Sequence, residues 1–90
     1  MDKAVVTVVG KDTVGIIAKV CTYLADEHIN ILDISQTIVD GFFNMMMVVD
    51  IGRSRKVFDT IRADLLALAD GMGLELHCQK AEIFEKMHRI

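Results

Sequence analysis

The stretch Gly10-Lys11-Asp12-Thr13-Val14-Gly15-Ile16-Ile17 holds the clearest capacity for chemistry in the sequence. Two glycines bracket a turn that leads from a β-branched run into a helical pattern. Backbone can therefore approach a ligand closely there and offer N–H groups beside the positive end of a helix. A carboxylate or a phosphate suits such an environment. The stretch lacks both the Gly-Lys-Ser/Thr ending of a Walker A loop and the G-x-G-x-x-G spacing of a dinucleotide turn. A tight βα turn without any ligand accounts for the same residues.

The remaining reactive side chains are scattered. His28 falls at a helix end, His77 sits between Glu75 and Gln79 at an outward strand position, and His88 is in the tail. Only Glu85 and His88, at i and i+3, approach a ligand spacing, and a solvated helix surface explains that pair. Cys21 and Cys78 are far apart, with no C-x-x-C spacing for metal or redox work. Both take apolar positions in their elements, so buried free thiols are expected. Catalysis needs a nucleophile with its base, an acid–base pair or a metal, and the spacing assembles none of these. The expectation is a protein that is not an enzyme and uses no cofactor and no metal.

The elements that must position the turn follow from periodicity. Lys3 to Val9 is a β-branched strand ending at Gly10, and Asp12 or Thr13 is suited to cap the following helix. Ile17, Val20, Cys21, Leu24 and His28 recur at helical spacing. Asn30 to Asp40 predicts a second strand, with a bulge near Ile31-Leu32. Asp40-Gly41 is a hairpin turn into a third strand, Phe42 to Ile51. Ser54 can cap a second helix marked by Val57, Ile61, Leu65 and Leu68, which Gly71-Met72-Gly73 stops. Leu74, Leu76 and Cys78 alternate with Glu75, His77 and Gln79 as a fourth strand. A tail from Glu82 to Ile90 carries Ile83, Met87 and Ile90 at roughly helical spacing. The order β-α-β-β-α-β predicts an α+β, ferredoxin-like fold: a four-stranded antiparallel sheet, strands one and three central, with two helices on one face.

Ninety residues make one domain, 1–90, with 52% apolar residues and a net charge of −3. That charge gives no reason to expect a nucleic-acid ligand, and the lone basic cluster, Arg53-Ser54-Arg55-Lys56, fits a solvated turn. No apolar run reaches the ~20 residues that span a bilayer, so no membrane is expected. Met1-Asp2-Lys3-Ala4 runs straight into a strand without a signal-like apolar core, and a cytoplasmic location is expected.

Strand three has more apolar residues than one covered face can use. Phe43, Met45, Met47, Val49 and Ile51 form one set, and Phe42, Met46 and Val48 much of another; Val6 and Val8 oppose Val5 and Val9 in strand one. A second apolar face usually marks an interface. Self-association as a homodimer or a tail folded back over the sheet would each cover it.

Val8-Val9-Gly10-Lys11-Asp12, Gly15-Ile16-Ile17-Ala18 and Ile29-Asn30-Ile31-Leu32-Asp33-Ile34 resemble the ACT domain, across essentially the whole chain. Asp33-Ile34-Ser35-Gln36-Thr37 and Met87-His88-Arg89-Ile90 resemble the small stand-alone single-ACT-domain proteins of bacteria and archaea. The resemblance implies a regulatory binding module, usually dimeric, that takes an amino acid or a related small molecule. It places the ligand at the first βα turn and the start of strand two, against a neighbouring subunit. The matching positions are Asp12, Thr13, Val14, Gly15, Ile16 and Asn30. Asn30 has an amide able to donate and to accept, and the same amide would also serve to tie the turn before strand two. A chain of this length is expected to carry no output domain, so a sensed ligand would be reported through a separate protein or through the dimer. A purely structural partner protein, docking through its sheet face without a ligand, is the alternative.

Overall fold

The computed structural model describes residues 2–11 and 14–82. Its elements run β1 (Lys3–Lys11), α1 (Ile16–Asp26), β2 (Asn30–Val39), β3 (Phe42–Asp50), α2 (Phe58–Gly71) and β4 (Glu75–Lys80). All pairings are antiparallel, in the order β2-β3-β1-β4, so the first and third strands are central as the sequence predicts. Ile16, Val20 and Leu24 of α1, and Ile61, Leu65 and Ala69 of α2, recur every fourth residue and so line one face of each helix. Both stripes meet Ala4, Val6 and Val8 of β1, Phe43, Met45, Met47 and Val49 of β3, and Leu76 and Cys78 of β4 in a single core. Two helices on one face of a four-stranded sheet make the fold ferredoxin-like.

The α1 stripe starts one residue earlier than the sequence predicts, while Ile61 and Leu65 of α2 are buried as it places them. α1 opens at Ile16 with Gly15, rather than Asp12 or Thr13, as its N-cap. Ile16 therefore leads the buried row while Ile17 is exposed and Cys21 half-buried. Val57, expected inside the second stripe, is instead the exposed N-cap of α2. Ser54 does not cap that helix; its Oγ accepts from the Lys56 N–H at 3.2 Å within the preceding loop. The tail positions Ile83, Glu85, Met87, His88 and Ile90 lie outside the described residues.

Both helices end in the same six-residue hydrogen-bond pattern. Gly73 N–H donates to the Asp70 carbonyl (3.1 Å) and Leu74 N–H to that of Ala69 (2.9 Å). At the end of α1, His28 N–H donates to the Ala25 carbonyl (3.1 Å) and Ile29 N–H to that of Leu24 (2.8 Å). This closure requires a left-handed residue just past the helix, a place where glycine is unstrained. Gly73 meets the requirement at φ 71, whereas α1 uses a histidine, His28, at φ 59.

Asp40 (φ 51) and Gly41 (φ 78) both take positive φ, as a tight hairpin turn matching the twist of the β2–β3 pair demands. The register runs cleanly from Val39↔Phe42 to Asp33↔Val48 and then shifts between Ile31 and Asp33, where the bulge is expected. β2 is an edge strand less covered than its alternation suggests. Ile34 and Ile38 share the helix side with Met47 and Phe43, yet Ile38 is 60% exposed, because the helices do not extend over this edge.

Candidate functional site

Among the described residues, the first βα turn exposes backbone rather than side-chain chemistry. Val14 stands in solvent, Gly15 takes φ 89, and Ile16 plunges into the core. The N–H groups of the first helical turn have no partner within the helix, and α1 supplies neither a capping side chain nor an acidic residue there. Among the described residues, a Cβ placed on Gly15 would meet nothing within 4 Å. Asp12 and Thr13 lie outside the described residues. Three of the six expected site residues, Val14, Gly15 and Ile16, are thus brought together.

Asn30 is not with them. It opens β2 opposite Asp50, whereas Gly10 and Lys11, just before the turn, pair with Phe43 and Phe42 at the far end of β3. The eleven residues of α1 separate Gly15 from Asn30, a span of about 16 Å at 1.5 Å per residue. At its own end Asn30 borders a cleft of ≈ 510 Å³ with His28, Ile29, Asp50 and Arg53. Asp50 Oδ1 accepts from the Gly52 N–H (3.0 Å) and the Asp2 N–H (3.2 Å). The Gly52 bond foremost, with help from the Asp2 N–H and the nearby Arg53 charge, holds the Asp50 carboxyl below its usual range. Asp50 and Arg53 carry no motif spacing relative to Asn30, and only the strand register could have united them.

A third grouping ties the helices together on their outer side. Tyr23 O–H donates to Asp64 Oδ2 at 2.6 Å, and Lys56 Nζ donates to the same oxygen at 2.8 Å. Lys56 also pairs with Glu27 Oε2 at 3.2 Å and lies 5.6 Å from the Tyr23 ring centre. Desolvation and the Asp64 bond push the Tyr23 hydroxyl up, while the Lys56 and Tyr23 bonds lower Asp64. One lysine charge is shared by two carboxylates, and the contacts clamp α1 to the first half of α2 and the loop before it.

On the face opposite the helices, Val5 is buried and Val48 half-buried, while Val9, Phe42 and Met46 are exposed. A shallow hollow of ≈ 230 Å³ there is bordered by Thr7, Ser35, Thr37 and Asn44 beside Val9 and Met46. His77 pairs with Glu75 Oε1 at 3.2 Å on the same face. Burial pushes the Cys78 thiol up to about 11, so it is a poor nucleophile. Among the described residues, no group of three or more His, Cys, Asp or Glu side chains is gathered to hold a metal ion, and no helix is long and apolar enough to cross a membrane.

The fold and its glycine-led first turn define a small ferredoxin-like α+β domain. The chain belongs to the ACT domain family, whose model matches residues 2–79. It is similar over its full length to small single-domain relatives: the UPF0237 protein of Bifidobacterium longum is 58% identical over 90 residues, covering all of both chains. Among solved structures, an ACT domain protein from Streptococcus pneumoniae superposes with a TM-score of 0.81 at 40% identity, covering 93% of this chain and 94% of that one. A formyltetrahydrofolate deformylase from Pseudomonas syringae pv. tomato shares the fold, with a TM-score of 0.82 at 22% identity over 89% of this chain and 28% of that one.

Proposed function

We propose that this ACT domain is a non-catalytic regulatory module that binds a small molecule, an amino acid, and works as a dimer. The observation that carries the proposal is the opening of α1, where the N-cap Gly15 brings no side chain to the first-turn N–H groups and, among the described residues, nothing lies within 4 Å of the place its Cβ would take. Such a terminus favours a carboxylate. The charge of Asp12, in the same turn, disfavours a simple anion and suits a ligand that also carries an ammonium group. Gly15 and Asn30 lie at opposite ends of α1, so a ligand touching both has to sit between two chains. The dimer and the ligand are for that reason one proposal, and a cytoplasmic location with a separate output protein belongs to it.

Light scattering over a dilution series, together with calorimetry against the twenty amino acids, tests it. The expected outcome is a dimer with saturable binding that weakens in Gly15→Val and in Asn30→Ala, both checked for folding by thermal melts. Equal affinity in wild type and both variants would put the site elsewhere. A second function, docking onto a protein partner without a ligand, is favoured by the exposed Val9, Phe42 and Met46. A panel that gives no binding supports that function over the first.

A further inference from the structure

Three consecutive methionines, Met45, Met46 and Met47, cross the middle of β3, and the alternation of the strand separates them. Met45 and Met47 are 3% and 0% exposed beneath the helices, whereas Met46 is 46% exposed on the opposite face. The pairing register sets Ser35 of β2 beside Met46 on one side and Thr7 of β1 on the other. Paired side chains on one sheet face have Cβ atoms about 4.5–5.5 Å apart, so both hydroxyls are within reach of the methionine sulfur. Thr37 and Asn44 border the same shallow hollow. An accessible thioether thus lies in a row of hydroxyl and amide groups.

We propose that Met46 is a reversible oxidation site, and that conversion of its thioether to the sulfoxide weakens the pairing of two chains. The proposal rests on the dimer of the preceding section and adds what regulates it; the ligand plays no part. A peroxide, such as hydrogen peroxide, is the co-reactant. A lone pair on Met46 Sδ attacks one peroxide oxygen and the O–O bond breaks. The displaced hydroxide takes the proton carried by the transferred oxygen and leaves as water. Sulfur loses two electrons and the peroxide gains them. A thiol-dependent sulfoxide reductase reverses the step, its two thiols becoming a disulfide as the oxygen leaves as water.

The surroundings give each state a place. A thioether is apolar and a weak acceptor, and it packs well against another apolar surface. A sulfoxide is polar, and in a single chain the Ser35 and Thr7 hydroxyls and the Asn44 amide can donate to its oxygen together with water. Pressing a second copy onto this face strips that water away, which costs free energy wherever the oxygen is left without a donor. Oxidation at this position also spares the core, because Met45 and Met47 are shielded by the helices.

The test treats dilute protein with hydrogen peroxide, locates added oxygen at each methionine by fragment-ion mass spectrometry, and follows association by sedimentation. Met46 should oxidise several-fold faster than Met45, Met47 and the half-buried Met72, and more slowly as rising protein concentration brings a partner over it. The dimer dissociation constant should rise roughly tenfold or more, the worth of one buried apolar side chain, with the monomer melt nearly unchanged. Methionine sulfoxide reductase with dithiothreitol should restore it. Met46→Leu, which keeps both cysteines and the other methionines, should dimerise and ignore peroxide, and Met46→Gln should dimerise weakly without any. Oxidation of Met72 as fast as Met46, or a peroxide response retained in Met46→Leu, would overturn the proposal. A reduced dimer unmoved by complete oxidation of Met46 would overturn the regulation alone. A reduced wild type that is a monomer at every concentration would overturn the dimer of the preceding section, and the regulation with it.

Discussion

Met46 and Met47 are adjacent in β3 and chemically identical, yet Met47 is fully buried and Met46 is 46% exposed. The same contrast recurs in β1, although Val5 on the open face is itself buried. Val6 and Val8 lie under the helices, while Val9 on the other side remains in contact with solvent. Residue type does not distinguish the two faces; the helices do. One face is held by α1 and α2 and folds the monomer, and the other carries similar apolar side chains with nothing from α1 or α2 over it. That unequal cover of like side chains is what the proposed dimer would use.

The largest expected effect tests that contrast directly. Met47→Ala should destabilise the protein by about 3 kcal/mol, through lost transfer energy and the cavity left behind. Met46→Ala should cost less than about 0.5 kcal/mol. Urea unfolding of the two variants measures the gap, and equal losses would mean that the open face is as well packed as the core. Next in size, Phe42→Ser combined with Met46→Ser should weaken dimerisation roughly tenfold or more, the worth of one buried apolar side chain. Sedimentation over a dilution series should show this with the monomer melt almost unchanged. An unaltered dimer would move the interface to another surface.

On the helix side, Tyr23→Phe removes the hydroxyl that Asp64 accepts and should cost about 1 kcal/mol. The measurement is a denaturant midpoint shift without a change in slope. The smallest effect is that of acid. Asp50 and Asp64 titrate below their ordinary value of 3.8 when folded, chiefly through the Gly52 N–H and Lys56 bonds respectively. A lowered folded value means the stabilisation is complete above the unfolded value and disappears as pH falls through the folded one. Melting temperature should hold steady down to about pH 5 and decline below about pH 4. Asp64→Asn should flatten part of that decline.

Much of the fold was legible because it rests on local signals. The Asp40-Gly41 turn, the bulge after Ile31 and the stop at Gly71-Met72-Gly73 are written in short-range steric preferences. The start of α1 is not legible in the same way, because Asp12 and Thr13 are good capping residues, whereas the N-cap is Gly15, which leads directly into the buried row at Ile16. The Tyr23–Asp64–Lys56 clamp joins residues from separate elements, and helical periodicity says nothing about which outer faces meet. The cleft at Asn30 was hidden for a subtler reason. Counting outward from the Asp40-Gly41 turn pairs Asn30 with Ile51; the bulge moves the partner to Asp50 and so sets a carboxylate beside the amide.

The position of β1 bears on the order of assembly. The β2–β3 hairpin joins neighbours in sequence and, with its tight turn, closes on the microsecond scale of isolated hairpins. β1 must wait: it pairs with β3 on one side and with β4 on the other, and Ala4 meets Lys80 across nearly the whole chain. Closing so long a loop has an entropy cost before the contacts that reward it exist, which slows folding. During synthesis the first strand made is among the last to be flanked on both sides, and its apolar valines depend on the hairpin for shelter until β4 emerges.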